Sequence, residues 1–359
     1  MTENHRIAIA GIGSVAEMHA LSIGDIEETT LVAGSCRTDS RGRAFADEYG
    51  CAWFSDTETM LDETESDVLI VCTPSGAHLE PTLAAAERGI DVLCEKPLEI
   101  TTERIDRMAA ACEDAGVTLG GVFQQRFTDI FREVHSAAEA GRFGNLSVAN
   151  AYVPWWRDDG YYEGAWQGTE ELDGGGATMN QSIHAIDAVQ WLAGTAIGTD
   201  RDENPVGEVF AYTDRLAHDE DLMEVEDTAV AVVRYRDGTL GQLLGATSMY
   251  PGSLRRVQLA GRDGTAEVLE DELVTWHFRD EREDDETIRE RFGEGEASGG
   301  AADPMDIDYT DHRRNIEAFL ASLKSDDPYP LDASEARKSV AIIEAIYDSA
   351  ERGEPVSPS

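Results

Sequence analysis

From residue 6 onward, short apolar runs alternate with stretches whose apolar residues recur at helical spacing. The runs fall at 6–10, 30–35, 67–72, 90–94 and 117–122, with helical stretches near 14–24, 39–48, 77–89 and 101–115. This strand–helix alternation predicts a doubly wound parallel sheet over residues 1–122. The pattern changes at 123. A helix near 125–140 precedes a strand at 146–154, an aromatic loop, and a glycine turn that opens a helix over 176–193.

Residues 206–278 read as several strands joined by turns such as Arg236-Asp237-Gly238 and Arg262-Asp263-Gly264. They predict a large, open, mainly antiparallel sheet, so residues 123–359 form a second, α+β domain. The run Thr228-Ala229-Val230-Ala231-Val232-Val233 is apolar at consecutive positions, as in strands buried on both faces. A second subunit or the chain's own helices would cover the outer face. The acidic, Gly/Ala-rich segment 280–303 reads as a solvated loop, and helices follow near 305–324 and 332–352.

Composition narrows the class. The chain's 359 residues suffice for two domains, and 41% hydrophobic residues can bury a core. Against 29 Lys+Arg stand 72 Asp+Glu, a formal charge of −43. Such a surface repels nucleic acid and anionic membranes. Two readings account for the acidity: a field that attracts cationic ligands, or adaptation of the whole surface to a salt-rich cytoplasm. The acids are spread through every segment, and the only lysines are Lys96, Lys324 and Lys338, which favours the second. Cys36, Cys51, Cys72, Cys94 and Cys112 show no C-x-x-C spacing and read as thiols in a reducing compartment. No signal-peptide pattern or membrane-length apolar stretch is present, which gives a cytoplasmic expectation.

After the first strand comes Gly11-Ile12-Gly13-Ser14-Val15-Ala16. The first glycine permits a tight turn, the second a close backbone approach to a pyrophosphate, and the small third residue helix–strand packing. The following helix N-terminus presents N–H groups to the anion. At the tip of the second strand, Ser35-Cys36-Arg37-Thr38 lacks the acid that usually binds the adenosine ribose of NAD. Arg37 can pair with a 2′-phosphate, with Ser35 and Thr38 donating hydrogen bonds. This favours NADP(H), although Asp39 lies close enough to replace the missing acid and keep NAD(H) possible.

Glu95-Lys96-Pro97 closes the next-to-last run of the first domain, at the strand end that faces a ligand crevice. A chain that has almost abolished lysine keeps one there, where a compact donor with a tunable pKa is useful. Farther on, Asn180 and His184 are i,i+4 neighbours on the helix opened by Gly174-Gly175-Gly176, and Asp187 can orient the imidazole, cap the helix or face solvent. Removing hydride from a carbinol requires a base, for which His184 is suited. Lys96 stabilises charge on the oxygen. The loop 154–166 supplies Trp155, Trp156, Arg157, Tyr161, Tyr162 and Trp166 for stacking and hydrogen bonding to a sugar, or else packs internally. Gln125, Arg126 and His312 are further pocket-rim candidates. No His/Cys/carboxylate group has metal-ligand spacing, so no metal is expected.

The fingerprint GIGSVA, the segment Cys72-Thr73-Pro74-Ser75-Gly76-Ala77-His78, the EKP tripeptide, Phe123-Gln124-Gln125-Arg126, the GGGA…NQSIH…D run and the closing LDASEARKSV together resemble the Gfo/Idh/MocA oxidoreductases. The resemblance spans nearly the whole chain. It implies a Rossmann domain, a C-terminal α/β domain that pairs into dimers or tetramers, and NAD(P)-dependent oxidation of sugars or cyclitols. It further implies that Lys96 contacts the reacting oxygen and the nicotinamide, that the Lys96–Pro97 bond is cis, and that His184 is the acid/base. Thr73, Pro74 and His78 would lie near the cofactor together with Glu95 and Pro97. At Asn180 many members carry Asp. An amide cannot relay a proton, so Asn180 is expected to bond a substrate hydroxyl.

Overall fold

The computed structural model describes residues 4–293, 309–325 and 327–359. The chain divides into two compact units, Met1–Gln124 with Asp308–Arg337, and Gln125–Ile307 with Lys338–Ser359.

The first unit runs β1 (His5–Ala10), α1 (Ser14–Asp25), β2 (Thr29–Ser35), α2 (Asp39–Tyr49), β3 (Ala52–Phe54), α3 (Thr57–Glu63), β4 (Val68–Val71), α4 (Leu79–Ala86), β5 (Asp91–Cys94), α5 (Thr102–Ala115) and β6 (Leu119–Gly121). The sheet order is β3-β2-β1-β4-β5-β6, with every pair parallel. The chain reverses its winding direction at β1, so the carboxyl ends of β1 and β4 flank the crevice where such sheets bind ligands. Ile7–Ala10 and Val68–Val71 are buried at every position, which is why these strands read as unbroken apolar runs. Helix α5 is capped at its start by Thr101, whose hydroxyl accepts from the Arg104 amide, and at its end by left-handed Gly116. The pattern reading missed β3 and α3. Three residues are too few to display a period of two, and Trp53 reveals its role only through its indole bond to the Cys36 carbonyl.

The second unit contains α6 (Asp129–Glu139), β7 (Leu146–Pro154), α7 (Asp159–Tyr162), a π-helical turn at Ala177–Ser182, α8 (Ile183–Ile197), β8 (Val206–Asp214), β9 (Thr228–Tyr235), β10 (Leu240–Ala246), β11 (Arg256–Gly261), β12 (Gly264–Leu269), β13 (Glu272–Phe278) and α9 (Asp285–Phe292). The sheet order is β13-β12-β11-β7-β10-β9-β8, and only β7 and β10 are parallel neighbours. Helix α8 packs across β7 and β11. Strand β9 alternates: Ala229, Ala231 and Val233 are buried while Val230 and Val232 remain about half exposed. Among the described residues, no helix covers its outward apolar row.

One expectation is corrected here. Residues 285–292 of the acidic segment form helix α9, because Asp285 is tied down. It accepts from both terminal nitrogens of Arg142, at 2.8 and 2.6 Å, and from the Trp276 indole at 2.7 Å. The Arg142 hydrogen bonds hold its carboxyl well below the usual range. Residues 294–303 of that segment lie outside the described residues. The first unit also takes in a segment from beyond the expected boundary at 122. Helix α10 (Thr310–Ser322) packs on α1, and the main-chain N–H of Gly121 donates to the Leu331 carbonyl at 2.8 Å. The Tyr329 hydroxyl donates to the Gly121 carbonyl. A segment from the far end of the chain thus completes the first unit, which local periodicity cannot reveal. The last helix is α11 (Ala333–Arg352).

Candidate active site

The glycine turn after β1 is built by necessity. Gly11 has φ +92°, and a Cβ there would lie 2.6 Å from the Cys72 and Thr73 backbone at the end of β4. Only glycine satisfies both constraints. Gly13 opens α1 with no side chain capping the helix, and a Cβ at Gly13 would meet nothing within 4 Å. Gly13, Ser14 and Val15 are exposed. An uncapped helix N-terminus beside open space is what a pyrophosphate requires, so these residues fit a dinucleotide.

At the tip of β2 the expected donors separate. Arg37 and Thr38 are exposed, but Ser35 is buried and its hydroxyl pairs with that of Thr57 at 2.9 Å. Ser35 is therefore a structural link between β2 and α3. Asp39 is bonded to Arg43 at 3.1 Å. Sequence reading missed Arg41, whose Nη1 reaches 3.5 Å from the Ile12 carbonyl in the glycine turn. Its signal was a second arginine one helical turn past Arg37.

The loops after β4 and β5 are joined by His78. Its Nε2 lies 2.8 Å from the Thr73 carbonyl and its Nδ1 3.0 Å from the Pro97 carbonyl. Burial pushes its pKa down. His78 is thus a tie between two site loops rather than a cofactor ligand. The Thr73 hydroxyl is likewise used internally, on the Ala77 carbonyl. Pro74 is half-buried, and the Lys96–Pro97 bond is cis. Lys96 is half-buried immediately after β5.

Glu95 turns inward, against the expectation that it contacts cofactor. Its Oε1 is 2.8 Å from Nε2 of His19 on α1 and 3.9 Å from Nε2 of His312 on α10. Burial would raise the Glu95 carboxyl, but the His19 hydrogen bond and the charges of His19, His312 and Lys96 hold it at about 2. Burial and His19 lower His312 to about 4. His312 therefore packs inside the first unit and is no pocket-rim residue. The fold also assembles the one group of possible metal ligands found among the described residues, His19, Glu95 and His312, which sequence spacing did not show. Nδ1 of both histidines is buried and has no hydrogen-bond partner among the described residues. Metal-bound imidazoles normally donate that second nitrogen to an acceptor, so the trio reads as a hydrogen-bonded cluster.

In the second unit, the π turn 177–182 leads into α8 and carries Asn180, with half-buried His184 in the first turn of α8. Glu226, missed in the sequence, caps this element. Its carboxylate accepts from the Gly176 and Thr178 amides, both at 2.8 Å, and from the Tyr347 hydroxyl at 3.1 Å. Burial raises its pKa. A Cβ on Gly176 would lie 1.8 Å from the Glu226 carbonyl, so the cap requires glycine there. Asn180 donates to Asp173 at 2.5 Å and accepts from Gln181 at 2.7 Å. Asp187 is bonded to Arg126, Ser339 and Gln190. The buried carboxylate is thus committed to Arg126, which also lies over the Trp191 ring. This removes Arg126 from the substrate candidates. Gln125 is buried, and among the described residues its Oε1 has no hydrogen-bond partner.

The aromatic loop is partly packed. Trp155, Arg157 and Tyr162 are buried, and the Tyr162 hydroxyl donates to Thr247 at 3.0 Å, so Tyr162 is structural. Arg157 lies over the Trp155 and Tyr161 rings and donates to Gln181 at 2.9 Å. It is held inside the loop rather than offered to a ligand. His218, 2.9 Å from both Asp227 and the Arg157 carbonyl, pins the loop and was not expected. Trp156 and Trp166 are half-buried and keep accessible surface.

Comparison with known proteins matches two family models: the oxidoreductase family, NAD-binding Rossmann fold, over residues 5–122, and its C-terminal alpha/beta domain over residues 136–357. The chain is 27% identical to D-glucoside 3-dehydrogenase of Escherichia coli, covering 97% of this chain and 96% of that one. It is also 27% identical to D-xylose 1-dehydrogenase (NADP(+)) 2 of Haloferax volcanii, over 98% of each chain. Among solved structures, the WlbA dehydrogenase from Bordetella pertussis in complex with NADH and UDP-GlcNAcA superposes with a TM-score of 0.87. It is 30% identical, over 99% of this chain and 98% of that one.

Proposed function

Since the chain belongs to the Gfo/Idh/MocA oxidoreductase family, and is thus an NAD(P)-dependent oxidoreductase acting on CH–OH groups, we propose that it oxidises a ring hydroxyl of a sugar or sugar derivative. The observation that carries the reading is Lys96. In a chain with three lysines, one stands half-buried at the carboxyl end of β5, in a unit whose glycine turn fits a dinucleotide. Bound nicotinamide supplies the hydride acceptor or donor. Gly11, Gly13, Ser14 and Val15 would hold its pyrophosphate, with Thr73, Pro74 and Pro97 beside it. His184 takes the hydroxyl proton, a role typically worth ~10²–10⁴-fold. The Lys96 ammonium stabilises the charge that develops on that oxygen. Asn180 holds a neighbouring substrate hydroxyl, with Gln125, Trp156 and Trp166 shaping the pocket.

NADP(H) is the proposed cofactor, with NAD(H) also accepted. Exposed Arg37 and Thr38, backed by Arg41, favour a 2′-phosphate, and Asp39 is engaged by Arg43. The protein works as a cytoplasmic homo-oligomer in a salt-rich medium. Supporting the oligomer is the outward row Tyr212, Val230, Val232 and Leu240 on β8, β9 and β10, each about half exposed or more. Among the described residues no helix is long and apolar enough to cross a membrane.

The same chemistry serves a cyclitol, or reduction of a keto-sugar in the reverse direction. A non-catalytic dinucleotide-binding regulator would have no need of both Lys96 and His184. The test is reduced-nicotinamide absorbance in molar KCl with a panel of aldoses, glycosides, uronates, UDP-GlcNAcA and inositols. Turnover with a carbohydrate is expected. Tight cofactor binding without turnover on any member would overturn the enzymatic reading.

A further inference from the structure

In the second unit, a line of hydrogen bonds joins a buried cation to a buried anion through two side-chain amides. Nη2 of Arg157 donates to Oε1 of Gln181 at 2.9 Å, and Nε2 of Gln181 donates to Oδ1 of Asn180 at 2.7 Å. Nδ2 of Asn180 then donates to Oδ1 of Asp173 at 2.5 Å. Arg157 is 6% exposed and Asp173 1%. The other Asp173 oxygen accepts from the Gly168 amide at 2.8 Å, and Gln181 also donates to the Tyr161 hydroxyl at 2.9 Å.

A guanidinium only donates and a carboxylate only accepts. The two ends therefore dictate which way each amide faces, and turning either one over would set donor against donor. The amide dipoles align head to tail, so each bond polarises the next.

We propose that Asp173 and Arg157 are positioning residues for the reaction. They fix the polarity of the Asn180 carboxamide and keep the site's negative charge at position 173 instead of 180. This rests on the reading of Asn180 and His184 as site residues. A carboxylate at 180 would stand four residues before His184 and favour its protonated form. Moving the charge back to 173, behind a neutral amide, weakens the pull on a proton at His184, so the imidazole stays neutral and able to accept a proton to a lower pH.

The test compares Asp173→Asn, Asn180→Asp and the exchange Asp173→Asn/Asn180→Asp, with His184→Ala as reference, all in molar KCl. Melting temperature, kcat, KM and the pH profile are read for each. In Asp173→Asn the new amide must set its nitrogen against either the Asn180 nitrogen or the Gly168 N–H, and relief by turning Asn180 passes the conflict to Gln181 and then Arg157. Its kcat should fall at least ~10-fold with a smaller change in KM, as misplacement of a site group does. Asn180→Asp sets two carboxylates in contact, one of which must stay protonated. The exchange keeps each hydrogen bond named above, because the amide introduced at position 173 would donate to the carboxylate introduced at position 180 and accept from the Gly168 N–H. It should recover the melting temperature and most of kcat, with the acid limb of the profile moved up by on the order of 1 pH unit.

A structural role alone would restore stability in the exchange without moving that limb, so a wild-type profile there overturns the proposal. Wild-type kcat in Asp173→Asn overturns it as well, as does an exchange variant that melts normally yet stays as slow as Asp173→Asn. If Asp173→Asn fails to fold, the exchange variant carries the test. Full turnover in His184→Ala would remove the site reading itself. Loss of turnover there, with Asp173→Asn unaffected, would remove only this inference.

Discussion

The Arg126 guanidinium closes on the Asp187 carboxylate with two parallel hydrogen bonds, 2.7 Å from Nε and 2.6 Å from Nη2, and both side chains are buried. This geometry is the strong, bidentate form of an ion pair. Breaking a buried pair from one side costs about 3–5 kcal/mol, since the remaining charge keeps its desolvation penalty. Arg126→Ala should therefore lower the melting temperature sharply while the folded fraction keeps its substrate KM within a few-fold. A KM raised tenfold at unchanged melting temperature would return Arg126 to the substrate pocket.

Arg37 stands exposed at the tip of β2, with no acid of its own strand beside it. A hydrogen bond to a charged group contributes about 1.5–3 kcal/mol, or roughly 10–100-fold. Arg37→Ala should lower kcat/KM for NADP by that factor and leave NAD nearly unchanged. An enzyme that prefers NAD both before and after the substitution would reverse the cofactor assignment.

The His19–Glu95–His312 cluster links stability to pH. His312 titrates near 4 when folded and about 6.5 when unfolded, so between those values the unfolded chain binds more protons. Glu95, held at about 2, acts in the same direction from about 4.3 downward. Stability is thus complete above about pH 6.5 and is lost as the pH falls. The His312 share is about 3 kcal/mol. Melting curves from pH 7 to 4 should show a flatter decline for His312→Gln. Parallel curves for the two proteins would contradict the cluster's role.

Much of this architecture can be read from one-dimensional pattern. Strand β7 spans the expected 146–154 because alternation and flanking turns agree there, and Gly11, Gly13, Lys96 and His184 announce themselves by local motif. The errors share one physical cause. Ser35 is claimed by Thr57, Arg126 by Asp187, and Glu95 by His19, partners 22, 61 and 76 residues away. A polar residue in a motif looks available until the fold shows what it is bonded to. For the same reason, Glu226, which caps the turn that carries Asn180, was invisible among 72 acidic residues.

A formal charge of −43 makes the fold sensitive to screening. The Debye length is about 3 Å at 1 M salt and about 10 Å at 0.1 M, so surface carboxylates that ignore one another in strong brine repel in dilute buffer. Dialysis from molar KCl into low-salt buffer should unfold or inactivate the protein. Activity undiminished after prolonged dialysis would contradict salt adaptation.

Replacement of Lys96 by Met tests the proposed chemistry most directly, because it removes the ammonium and keeps an unbranched side chain. Stopped-flow and steady-state absorbance of the reduced nicotinamide, with dinucleotide binding titrated on the same sample, should show turnover lost by at least ~10³-fold and cofactor affinity preserved. Near-normal kcat in that variant would contradict the account.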